Sequence, residues 1–128
     1  TLDGLTQRVL AAYVADPFVP GIILREVLED PTEAAIAFQE GTLPGRGQIA
    51  RLLEAGQRSG LVRPDLDVER WFDRVALMLL ATLALPSRSE PPAPGSEDGK
   101  ELRLKVRETM RVAAASALVD PAAVLGGE

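Results

Sequence analysis

The 128-residue sequence contains no histidine and no cysteine. That removes disulfides, thiolate and imidazole metal ligands, nucleophilic cysteine and every serine–histidine or cysteine–histidine arrangement. Carboxylate acid–base catalysis is the main chemistry left open, so the expectation is a protein that is not an enzyme and needs no metal or cofactor. Long hydrophobic runs are missing too. The longest covers residues 75–81, and Thr82 interrupts it before residues 83–85, short of the roughly 18 residues that span a bilayer. No basic segment followed by an apolar one opens the chain, so no secretory signal is visible. A cytoplasmic protein without membrane contact is expected. Thr1 in place of Met reads as the start of an excised piece of a longer protein. Basic patches are scarce as well: the net charge is −5 and Lys and Arg are scattered, a poor match for a polyphosphate surface. Val, Ile and Thr never alternate with polar residues over a strand's length.

What is present is helical patterning. Hydrophobic residues make up 46 % of the chain, enough for a core in one domain. Leu2, Leu5, Val9, Ala12 and Tyr13 mark one face of a first helix, stopped at Asp16-Pro17. The apolar bridge Phe18-Val19-Pro20-Gly21 leads to a second helix over residues 21–29. Asp30-Pro31 restarts a short third one that carries Phe38 and ends at Gly41. Ile49, Leu52 and Leu53 mark a fourth helix, closed by Gly60. Asp67 caps a fifth, with Leu66 and Trp71 as a staple pair across its start. After the proline-rich residues 86–99, Ser96 caps a last long helix whose stripe is Leu102, Val106, Met110, Ala113 and Ala117. Asp120-Pro121 ends it and starts an extra turn. The fold class is therefore all-α: a single-domain antiparallel helical bundle of about five main helices plus a short third helix or terminal turn.

The fifth helix is the odd one. Glu69, Arg70, Asp73 and Arg74 give its first half a charged face, but past Val75 that face turns apolar. The last helix also loses its charges after Val112. Two helices that each lose a polar face are expected to meet a second subunit, as an isologous four-helix arrangement. Leu77, Leu80, Ala81, Ala84, Val106, Met110, Ala113 and Ala117 are the candidate dimer-interface residues.

Other clusters have plain explanations. Asp65, Asp67 and Glu69 read as a turn plus a cap rather than a metal site. Gly41, Gly45 and Gly47 lack the preceding strand and following Lys-Ser/Thr of a phosphate loop. The five aromatics, Tyr13, Phe18, Phe38, Trp71 and Phe72, fit either ordinary core packing or a ligand cavity between helices. On the cavity reading, Tyr13, Phe18, Phe38, Ile49, Leu53, Trp71, Phe72 and Val75 are the candidate ligand-binding residues. Arg25, Gln39, Gln57 and Thr82 are possible polar contacts.

The segment Gly60-Leu61-Val62-Arg63-Pro64-Asp65-Leu66-Asp67, between one helix and a long apolar one, resembles the C-terminal domain of tetracycline-repressor-like (TetR family) transcriptional regulators. The Asp16-Pro17 break, Arg25-Glu26 and the loop before the last helix fit the same pattern. The resemblance implies an all-α effector-binding and homodimerisation domain, joined through its last two long helices and holding a small, mostly apolar effector among the middle ones. Operator DNA would be read only by an N-terminal helix-turn-helix that this chain lacks. The alternative is a helical protein–protein interaction module with a filled core and no ligand.

Overall fold

In the computed structural model, which describes residues 2–29, 46–85 and 90–126, the regular elements are all helices. They are α1 (Leu2–Ala15), α2 (Val19–Glu29), α3 (Arg46–Ser59), α4 (Val68–Ala84), α5 (Glu97–Ala117) and α6 (Pro121–Leu125). The architecture is the all-α bundle that the apolar spacing predicts. Among the described residues there is no strand, and the sole ladder-like pairing is an isolated antiparallel bridge between Val62 and Leu118. No described helix is long and apolar enough to cross a membrane. The expected short helix with Phe38 and Gln39 lies outside the described residues.

Local chemistry explains several helix ends. Asp67 Oδ1 accepts the backbone N–H of Arg70 at 3.1 Å, Ser96 Oγ that of Gly99 at 3.0 Å, and Asp120 Oδ1 that of Ala123 at 3.2 Å. Each supplies an acceptor for a donor that the first helical turn leaves free. Just beyond α3, Gly60 has φ 86°, the left-handed conformation that glycine adopts without steric cost. One start differs from expectation. α2 begins at Val19, not Gly21, because Pro20 fits a first turn, where its missing N–H costs no hydrogen bond.

Packing centres on α4 and α5, which run antiparallel. Trp71, near the start of α4, meets Ala113 and Ser116 near the end of α5, and farther along Thr82 Oγ1 lies 3.4 Å from Thr109 Oγ1. One side of α4 gives Ala76 and Leu80 to Ile23 and Val27 of α2. Another gives Leu79 and Leu83 to a core shared with Val9, Leu10 and Tyr13 of α1 and with Leu102, Val106 and Met110 of α5. Val106 is 0 % exposed at its centre. Polar contacts fix the α1–α5 register: Asp3 accepts from Arg107 Nε at 3.0 Å, and Gln7 accepts from Arg103 at 2.7 Å. Thr6 is fully buried, and its hydroxyl is satisfied by donating to the Leu2 carbonyl at 2.7 Å.

Candidate functional site: a clasped helix pair and its open groove

The segment between α3 and α4 is a clasp. At Gly56 the chain folds back so closely that a β-carbon there would collide with the Val62 side chain. The backbone N–H groups of Leu61 and Val62 both donate to the Gly56 carbonyl, at 2.9 and 3.1 Å. The next residues then reach α5. Arg63 N–H donates to the Ala117 carbonyl at 2.9 Å, and Val119 N–H to the Leu61 carbonyl at 3.0 Å. Gln57 spans the turn, donating through Nε2 to the carbonyls of Arg63 and Leu66 at 3.2 and 3.0 Å. From α4, the Trp71 indole N–H donates to the Ala113 carbonyl and to Ser116 Oγ, each at 3.0 Å. The end of α3, the start of α4 and the end of α5 are thereby held at one point.

Charge chemistry completes the clasp. The Arg63 guanidinium forks onto Asp65, with Nε–Oδ1 at 3.2 Å and Nη2–Oδ2 at 2.8 Å. That bidentate hydrogen bonding holds the Asp65 carboxyl below its ordinary range and raises the arginine, although both side chains remain exposed. Asp67 caps α4 and also lies 3.5 Å from Arg70. These carboxylates are therefore engaged with Arg63, Arg70 and the helix start. No group of three acidic residues, His or Cys among the described residues is placed to hold a metal ion.

Two open depressions lie along the solvent-facing seam between α4 and α5. The one of about 460 Å³ runs from Arg63 and Trp71 past Arg74; the one of about 400 Å³ runs past Ala81, Thr82 and Glu108 to Leu85. Met78 and Val112 border both, so the two form one groove with these residues at its middle. Val75, buried on α4, forms part of its floor, while Leu85 at 71 %, Val112 at 56 % and Met78 at 37 % exposure stay open to solvent.

The structure does not gather the candidate ligand-binding residues into one place. Tyr13 is packed in the α1–α4–α5 core with Leu83. Trp71 stands twelve residues before Leu83, about 18 Å along the axis of α4. Phe18, at the corner between α1 and α2, is 65 % exposed. Phe72 and Val75 are buried on α4, while Ile49 and Leu53 are half-buried on α3, which packs against α4. Phe38 lies outside the described residues. Of the proposed polar contacts, Gln57 serves the clasp, Thr82 donates to the Met78 carbonyl at 2.7 Å, and Arg25 is exposed.

The candidate interface residues divide as well. Leu80, Val106, Ala113 and Ala117 are buried within the chain by its own helices, and Met110 packs half-buried against the same core. The four buried ones offer no surface to a partner. Leu77, Ala81 and Ala84 stay partly open. The residues that sequence reasoning passed over are Met78, Leu85 and Val112. Val112 carried a signal, since it is apolar yet off the inward stripe of its helix. Comparison with protein-family models, with curated proteins and with solved structures gives no match to this chain.

Proposed function

We propose that the chain is the effector-binding and homodimerisation domain of a TetR-like DNA-binding transcriptional regulator, acting in the cytoplasm and without enzymatic activity of its own. The observation that carries this reading is the apolar groove left open along the two longest helices, at Met78, Leu85 and Val112. An apolar strip on a clasped helix pair suits burial against a second copy. Operator recognition falls to a helix-turn-helix outside residues 1–128, in keeping with the net charge of −5. The effector, small and mostly apolar, is assigned to the packed α3–α4 pair, which carries Ile49, Leu53 and the buried Phe72, with Val75 between it and the groove.

The packed state of Tyr13 and Phe72 favours a second reading, a helical interaction module with a filled core. One titration separates the two. Trp71 is the only tryptophan, and α4 carries both it and the buried Phe72 and Val75. A panel of apolar, aromatic and cationic small molecules is added while Trp71 emission and the melting temperature are followed. A true effector at a hundredfold excess over its Kd stabilises the fold by about 2.7 kcal/mol and raises the melting temperature by several degrees. If no compound moves either signal, the sensor reading fails and the filled-core module stands.

A further inference from the structure

The charged side chains that line the α4–α5 groove are nearly all spoken for within the chain. Arg63 pairs with Asp65 at 2.8 Å, Arg70 with Asp67 at 3.5 Å, and Lys105 with Glu101 at 3.4 Å. Two lining charges stand apart. Arg74 and Glu108 are exposed, and neither makes an ion pair or side-chain hydrogen bond among the described residues. They have opposite sign, and their positions are symmetric. Arg74 lies four residues before Met78 on α4, and Glu108 lies four residues before Val112 on α5. Four residues are about 6 Å of helix. Because α4 and α5 are antiparallel, the two charges lie at similar distances on opposite sides of the Met78–Val112 midpoint.

A surface with that pattern complements itself. A two-fold axis perpendicular to the groove at Met78 and Val112 carries the arginine end of one copy onto the glutamate end of the other, and it does so twice. We infer that a second copy of this chain docks antiparallel across the groove, with Arg74 facing the partner's Glu108 on either side of an apolar centre made by Met78 and Val112. The inference rests on the homodimer reading above and adds the register to it. The apolar centre supplies most of the affinity, while the two charge pairs fix the alignment and penalise slipped ones.

The test uses sedimentation of wild type, Arg74→Glu, Glu108→Arg, the double variant, and an equimolar mixture of the two single variants. Each single variant places two like-charge contacts in its homodimer and should weaken it about tenfold. The double variant restores both pairs and should dimerise like wild type. The mixture should form heterodimers in preference to either homodimer, because both of its contacts join opposite charges. Both sites are exposed, so circular dichroism spectra with wild-type helicity confirm that folding is intact, whatever linkage to the weaker dimer does to the melting temperature. A dimeric wild type with undisturbed single variants overturns the register and leaves the homodimer standing. Single variants that weaken without rescue by the double variant or the mixture also overturn it. A monomeric wild type at micromolar concentration overturns the register and the homodimer together.

Discussion

At the scale of single residues, the most demanding positions are two glycines. Gly99 is buried in the first turn of α5, and a β-carbon there would run into the backbone carbonyl of Ala93. A carbonyl fixed in the main chain cannot swing aside as a side-chain terminus can. Helix propensity alone favours alanine over glycine by about 1 kcal/mol, and here the collision should reverse that preference. Gly99→Ala is expected to destabilise the fold by about 1–3 kcal/mol in denaturant unfolding. Gly21→Ala is the matched control. It lies in α2 with nothing within 4 Å of the new methyl group, and it should be neutral or stabilise by up to about 1 kcal/mol. Equal effects at the two sites would remove the steric explanation. The pair also marks what could be read in advance. The caps Asp67, Ser96 and Asp120 and the turn glycine Gly60 act on neighbours within a few residues, so their spacing disclosed them. Gly99 gave no such sign, because its demand comes from how residues 93 and 94 fold back over the helix start. Gly56 is hidden in the same way by its contact with Val62.

At the scale of elements, the clasp between α3 and α4 gives the Gly60–Asp67 motif a structural meaning. Val62 fills the space over Gly56, Arg63 reaches α5 through its backbone, Asp65 holds the arginine, and Asp67 caps the next helix. The acidic cluster was legible as turn and cap for that reason. The backbone bonds from Leu61 and Arg63 to Val119 and Ala117, at and just past the end of α5, were not, since two-residue pairing across more than fifty positions leaves no periodic trace. The Arg63–Asp65 pair makes the clasp sensitive to acid in a defined direction. Hydrogen bonding from Arg63 depresses the Asp65 pKa in the folded protein. A depressed folded pKa contributes stability that is present above the unfolded value and is lost as pH falls through the folded one. The pair therefore persists from neutral pH down through the ordinary aspartate range and opens below it. Wild type should melt slightly above Asp65→Asn at neutral pH, a small gap because the pair is exposed. The two curves should converge below the usual aspartate range. A gap that is unchanged at low pH would show that the carboxylate charge has no part in the clasp.

At the scale of the whole molecule, the bundle was legible and its outward face was not. Apolar spacing set each helix and its own stripe, and Leu102, Val106, Ala113 and Ala117 do lie together on one side of α5, all buried. Whether a stripe meets another part of the chain or a partner depends on how α1, α2, α4 and α5 cross, and that is decided between elements. The apolar circumference of α4 is divided among α2, the shared core and the groove, which sends Leu80 inward and leaves Met78 outside. This division predicts two different consequences for the same chemical change. Leu80→Glu buries a carboxylate against Ile23 and Val27 and should unfold the chain. Val112→Glu puts a charge at the exposed middle of the groove and should leave the monomer folded. Trp71 lines the same groove and reports on it directly. As wild-type concentration rises into the dimer range, acrylamide should quench Trp71 less efficiently and its emission should move to shorter wavelength. Val112→Glu should keep the monomeric quenching constant at every concentration while circular dichroism stays helical. Concentration-independent quenching in wild type would mean that no second copy covers the groove. Loss of helicity in Val112→Glu would place that residue inside the bundle, contrary to its exposure here.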